Sequence, residues 1–316
     1  MAGPLPAAEF RAALLDAGLL ADGGVLGLYH RSGTFESIVS GLSRLFTVVG
    51  ADQDATSLHF PPVLPRSAFL GTDYLRSFPD LVGSVDTFVG TDRDHARLLG
   101  KLESGEDWTS ELTPSEVVLC SAICHSLYPR LAGREVPDAR VYECQGHAFR
   151  HEPSEDPTRM QSFRMHEFVF VGTPDGATAH RDEWLQRGLN VLSGLGLQVR
   201  AEVANDPFFG RAGLLLASNQ REDALKFEIV APVVAEKATA ISSSNCHQDH
   251  FGANFGLRLA DGSVAHTACF GFGMERIALA LLAEHGLDVA RWPVSVTEQL
   301  GLPSQQPGGG RAGAAT

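Results

Sequence analysis

The sequence predicts an α+β fold, a large antiparallel β-sheet flanked by helices. Three observations carry this. From residue 140 onward, apolar and polar residues alternate with a period of two through a series of stretches. Short turns join consecutive stretches, which favours antiparallel pairing. Two longer segments, around 180–196 and at 274–286, interrupt the alternation with helical spacing. A chain of 316 residues, 44% hydrophobic and 20% charged, is long enough to bury a sizeable core.

Taken in order, residues 7–20 (AAEFRAALLDAGLL) read as a short amphipathic helix ended by the glycines at 23–24. Residues 24–50 combine a Gly-rich turn with a helix. The prolines at 61, 62 and 65 make TSLHFPPVLPRSAFL an extended segment or edge strand, because proline cannot donate to a central ladder. Residues 114–131 (PSEVVLCSAICHSLYPRL) read as a helix, with Thr113 as N-cap and Pro114 in the first turn. ARVYECQGHAFRHE, SFRMHEFVFVG, ALKFEIVAPVV, KATAISSSN, NFGLRLADGS and VAHTACFGFG read as strands. HRDEWLQRGLNVLSGLG and MERIALALLAEHG read as helices. One domain over 1–302 is expected, with a helical extension at 1–55 and a low-complexity tail at 303–316.

The formal charge is −13, and the basic residues are scattered rather than clustered. That disfavours a nucleic-acid binder, whose affinity rests on neutralising phosphates. The five cysteines are odd in number and irregular in spacing, so a reducing compartment fits better than a disulfide framework. No apolar run is long enough to cross a membrane, and the start lacks a basic n-region, so a cytoplasmic protein is expected.

The hairpin FRHEPSEDPTRMQSFRMHEF at 149–168 is unusually charged. Alternation puts Arg150, Glu152, Phe163 and Glu167 on one face, beneath an acidic loop that carries Arg159. Two readings stand side by side: a solvated hairpin with cross-strand ion pairs, or the floor of a site. Two further pieces favour the site. Lys226 and Glu228 share a face inside an apolar strand. Arg276 lies in the first turn of a helix, where the helix dipole opposes it, so position rather than stability explains it.

These pieces resemble the catalytic core of class II aminoacyl-tRNA synthetases. FRHE, the Arg159 loop and FRMHE look like motif 2, GFGMER at 271–276 looks like motif 3, and HFPPVLPR stands for motif 1. NDPFFGRAG, LKFEI, NCHQDHFG and AHTACFGFGMERIALALL narrow the resemblance to the amino acid:[carrier protein] ligases. That family is similar to zinc-dependent, archaeal-type seryl-tRNA synthetases without their tRNA-binding region.

The resemblance implies ATP-dependent activation of glycine or alanine to an aminoacyl-adenylate. It implies transfer to the phosphopantetheine thiol of a small carrier protein by a homodimer, with no tRNA. Arg150 would bridge the amino-acid carboxylate and the α-phosphate, a task suited to a guanidinium fork. Glu152 would accept from the adenine amino group, and Phe163 would stack on the purine. Arg276 would cover the other side of the purine and reach the γ-phosphate, and Arg159 would close over the ATP tail. Met160, Lys226, Ser242 and Ser243 are further ATP contacts by the same resemblance.

Zinc ligands by resemblance are Cys124, Glu167 and Cys269, leaving an open position for the substrate amine. Cys120 is the residue most easily mistaken for Cys124, four positions away on the expected helix. Cys144 and Cys246 read as structural, and His247 and His250 as pocket wall. The magnesium-ligand glutamate of seryl-tRNA synthetases is Thr239 here, which leaves Glu228 as a substitute, or else as a strand partner of Lys226. Two rivals remain: a seryl-like enzyme charging tRNA, and an inactive regulatory paralogue. The first needs a basic tRNA-gripping region that residues 1–55 do not supply, and the second should have lost the ATP-contacting residues.

Overall fold

The structure is a computed structural model that describes residues 3–204 and 224–303. The segment NDPFFGRAG and the tail lie outside the described residues.

Among the described residues, seven strands form the main sheet. They are β3 (Thr56–His59), β7 (Ala139–Phe149), β8 (Ser162–Gly172), β9 (Arg200–Val203), β10 (Lys226–Ala231), β11 (Thr239–Gln248) and β12 (His266–Gly273). Their spatial order is β3-β7-β8-β12-β11-β10-β9. All neighbours are antiparallel except β3, which runs parallel to β7 at the edge. The expected large antiparallel sheet is present, with one parallel pair added at its edge. The proline-rich stretch does lie at an edge, with β4 (Val63–Pro65) leaving the main sheet for a smaller one.

Two smaller sheets stand apart from the main sheet. β1 (Leu20–Asp22) pairs with β2 (Tyr29–Arg31). β5 (Ser84–Phe88) and β6 (Leu112–Leu119) join β4 in the order β4-β6-β5.

The Gly33–Val49, Pro174–Gly194 and Met274–His285 helices cover one face of the main sheet. The sequence encodes this face by alternation. On β12, Phe270 and Phe272 point toward the helices and are fully buried, while Cys269, Gly271 and Gly273 point the other way. Phe272 stacks on Phe46 of the Gly33–Val49 helix, and Phe168 stacks on Trp184 of the Pro174–Gly194 helix. Burying such rings contributes about 1.5–3 kcal/mol each. A buried polar group also serves this layer. Glu143 of β7 accepts from His166 at 2.8 Å and from Thr47 of the Gly33–Val49 helix.

Three expectations are corrected. Residues 114–131 are not one helix: β6 occupies the first part, then comes a single 3-10 turn at Ile123–Ser126 and a short helix at Leu127–Leu131. The apolar spacing of a short run does not separate the two periods, and the pairing partners of β6 lie far away in sequence. Cys120 is therefore not on a helix with Cys124. NFGLRLADGS is not a strand either: a helix, His250–Phe255, ends at Gly256 in the left-handed region, and Arg258 makes only isolated bridges. The first helix stops at Asp16, earlier than expected, because Gly18 at φ 64° turns the chain so that Leu19 and Leu20 enter the core.

Candidate active site

The free face of the sheet forms the site. Pairing lines up Glu167 of β8, Gly271 of β12, Ser243 of β11 and Glu228 of β10 in one transverse row. Residues directly opposite on neighbouring strands share a face. A cavity of about 630 Å³ stands over this row and is lined by Arg150, Phe163, Glu167, Cys269 and Arg276 among others. A second cavity of about 290 Å³ shares Arg150, Lys226, Glu228 and Arg276 with it and extends to Glu152 and Arg159. Arg150, Phe163 and Glu167 thus face one cleft, as alternation along the hairpin predicts, while Glu152 lines only the smaller cavity.

The hairpin's remaining charge has a different use. Arg164 lies on the opposite face, where it donates to Glu36 at 2.5 and 2.9 Å and to Glu275 at 2.7 Å. Glu275 is 1% exposed and also takes Arg31 at 2.7 Å and the Arg164 backbone N–H at 2.6 Å. This clamp ties β8 to the start of the Met274–His285 helix, one residue from Arg276.

At one end of the cleft, Cys124, Glu167 and Cys269 present ligand atoms within 4.8 Å of one another, all buried. The 3-10 turn delivers Cys124 and two backbone donors. Ile123 N–H and Cys124 N–H reach Glu167 Oε1 and Oε2 at 3.2 and 3.0 Å. Burial still dominates and pushes the Glu167 carboxyl up to about 8. The two thiols split. Cys269 is held well below the usual thiol value, foremost by a hydrogen bond from Cys124, which is itself pushed up by serving as that donor. His247 Nε2 and Asn245 Nδ2 stand 3.6 Å from the Cys269 sulfur. Two sulfurs and a carboxylate gathered where charge is penalised form a donor set suited to zinc. Cys120 is outside the cluster: its thiol donates to Ala122 O at 3.1 Å and burial pushes it up to about 11. Cys144 is buried and stands opposite Glu167 in register, and Cys246 lines the cavity, as do His247 and His250.

At the other end lie the groups assigned to ATP. Arg150 donates to Ser121 O at 3.1 Å, and its guanidinium sits 5.5 Å over the Phe163 ring. Arg276 donates to Thr158 O at 2.8 Å and Ala240 O at 3.0 Å, which fixes its fork between the motif 2 loop and β11. Burial draws its pKa down to about 10, with Arg159 and Arg150 adding repulsion. It remains charged at neutral pH. Arg159 pairs with Glu152 at 2.8 Å and Lys226 with Glu228 at 3.3 Å.

Two residues assigned to ATP, Met160 and Ser242, have core neighbours. Met160 is 5% exposed in the hydrophobic core and lines neither cavity. Ser242 and Ser243 both line the larger cavity, but Ser242 stands opposite the core residue Phe272, and its buried Oγ has no hydrogen-bond partner among the described residues.

Sequence reasoning missed Glu202 and Lys237, which line the smaller cavity. Glu202 stands opposite Glu228 on the neighbouring strand. No local pattern in RAEV marks it; only the strand pairing does.

Comparison with known proteins narrows the reading. No protein-family model matches the chain. It is 40% identical over 279 residues to amino acid–[acyl-carrier-protein] ligase 1 of Bradyrhizobium diazoefficiens, covering 87% of this chain and 85% of that protein. It is 41% identical over 281 residues to ligase 2 of the same organism, covering 87% and 83%. The chain belongs to the amino acid–[acyl-carrier-protein] ligases. A more distant relative of this ligase is the type-2 serine–tRNA ligase of Methanopyrus kandleri, 27% identical over 77% of the chain. The ligase spans only 51% of that protein's length. Among solved structures, M. kandleri seryl-tRNA synthetase in complex with a tRNA superposes with a TM-score of 0.80 at 22% identity, covering 93% of this chain and 61% of that one. Seryl-tRNA synthetase from Pyrococcus horikoshii complexed with ATP gives 0.69 at 14% identity, covering 96% and 64%. The fold of this ligase is therefore that of a class II aminoacyl-tRNA synthetase core.

Proposed function

We propose that the chain activates glycine or alanine with ATP to an aminoacyl-adenylate and passes the aminoacyl group to the phosphopantetheine thiol of a small carrier protein. The observation that carries this reading is one cleft joining the Cys124–Glu167–Cys269 cluster to Arg150 and Arg276. The names of the 40% and 41% identical relatives support it.

In the first step, a carboxylate oxygen of the amino acid attacks the α-phosphorus, and pyrophosphate leaves with the bond electrons. The nucleophile is already ionised, so no general base is needed. The barrier lies in bringing two anions together, which positioning and charge neutralisation overcome. Arg150, anchored by Ser121 O, holds both anions in its fork. Arg276, fixed by Thr158 O and Ala240 O, faces the departing phosphates. Phe163 supplies the purine platform and Glu152 the acceptor for its amino group, with Arg159 folding from Glu152 onto the phosphate tail. In the second step, the thiol sulfur attacks the adenylate carbonyl carbon, AMP leaves, and the thiol proton passes to water.

Zinc would be held by Cys124, Glu167 and Cys269, where it would recognise the substrate's α-amine at its open position. Magnesium needs only one or two carboxylates beside the phosphates. Glu228 is the proposed ligand, with Glu202 opposite it. A single domain over 1–302, a homodimer and a cytoplasmic location complete the proposal. No helix among the described residues is long and apolar enough to cross a membrane.

A pyrophosphate-exchange screen over twenty amino acids, followed by mass spectrometry of a phosphopantetheinylated carrier protein, tests the reading. Exchange confined to glycine or alanine and a matching thioester mass shift are expected. Charging of bulk tRNA by the pure protein, or no adenylate with any amino acid, would defeat it.

A further inference from the structure

Gly271 occupies the centre of the cleft floor, and nothing among the described residues requires it to be glycine. It stands opposite Glu167 on one side and Ser243 on the other, and Cys269 precedes it by two positions on the same face of β12. Two of the three clustered ligand groups therefore flank it directly. It lines the larger cavity.

The mid-strand position makes a glycine costly, because it gives up backbone entropy and leaves no side chain to pack. At the comparable mid-strand position on β7, Gly146 has a steric reason: a Cβ there would come within 2.9 Å of Phe60 O. At Gly271 the same atom would meet Met165 Cε at 3.4 Å and Glu167 Cγ at 3.5 Å, both ordinary contacts. Its φ is outside the left-handed region, so the backbone also admits any residue. A bare strand where a side chain fits is what a closely approaching ligand needs.

We infer that Gly271 is the floor of the amino-acid subsite, and that its missing side chain is the space that the substrate's α-carbon and small side chain occupy. This rests on the function proposed above. An amine held by the Cys124–Glu167–Cys269 cluster has its α-carbon within one or two bonds, which puts it over the backbone between Glu167 and Cys269. Gly271 is thus a specificity-determining residue: a methyl there would compete with the substrate's own.

The test is Gly271→Ala in the full chain, with three readouts. Thermal unfolding and bound zinc by elemental analysis report on the fold and the cluster. Calorimetry with glycyl- and alanyl-sulfamoyladenosine reports on the subsite. One added methyl in a fitted pocket changes discrimination by about 10–200-fold. The unfolding midpoint and zinc content should match the parent. Affinity for both analogues should fall, and the glycyl-to-alanyl affinity ratio should rise about tenfold or more. Unchanged affinities would overturn the inference. So would a variant that fails to fold or loses zinc, since glycine would then be structural. If the parent protein binds neither analogue, the proposed function fails as well, which separates the two failures.

Discussion

Glu167 sits where burial and the nearby Cys269 penalise its charge more than hydrogen bonds from the Cys124 thiol and the Cys124 and Ile123 N–H groups favour it. It is 1% exposed, with one thiol to each side, and burial raises its carboxyl to about 8. Such a carboxylate is stabilised by a cation. Glu167→Ala is therefore expected to reduce bound zinc from about one per chain to near none, measured by elemental analysis; full retention would remove Glu167 from the ligand set. Arg150 is the other decisive residue. It is half-buried and makes one backbone hydrogen bond, so Arg150→Ala should leave folding intact while lowering kcat/KM for exchange by about 10²–10³-fold. A loss under fivefold would count against its bridging role. Glu143 carries the pH prediction. Its hydrogen bond from His166 holds its pKa at about 2 against an ordinary 4.5. The native state then binds fewer protons than the unfolded chain between those values, so this stabilisation is complete above 4.5 and lost as pH falls toward 2. Urea midpoints at pH 3 and 6 should differ less in Glu143→Gln than in the parent.

At the scale of elements, the clamp among Arg31, Glu36, Arg164 and Glu275 joins motif 2 to motif 3. Removing one partner of a buried ion pair leaves a charge uncompensated and costs about 3–5 kcal/mol. Glu275 would keep Arg31, so Arg164→Met is expected at about 3 kcal/mol, near the low end of that range, read from urea denaturation. It should also raise KM for ATP, because Phe163 and Arg276 adjoin the clamped residues. A stable variant with normal ATP affinity would show the clamp to be passive. This pairing was invisible in the sequence: Arg164 and Glu275 are 111 residues apart. Face alternation within one hairpin was legible, since a period of two is local. The β6 segment was not, since its strand character comes from β4 and β5 rather than from its own spacing. For the same reason Cys124 was reachable by resemblance to a known family, but its delivery on a 3-10 turn was not.

For the molecule as a whole, the fold class was legible because the alternating strands and their joining turns are near neighbours in sequence. The parallel edge pairing of β3 was not, because it depends on a crossover that no local pattern encodes. The charge of −13 gives a further expectation. Binding of bulk tRNA should be undetectable at physiological salt by gel shift, and a salt-sensitive complex would revive the tRNA-charging reading. The sheet order has another consequence, for biosynthesis. β12 is the last of the seven strands to be made, yet it lies between β8 and β11. Until residue 273 has left the ribosome, the sheet exists as two halves, each with an exposed hydrogen-bonding edge. Growing chains should therefore depend on chaperones until β12 has been made, and truncation before β12 should give aggregates rather than a smaller folded protein.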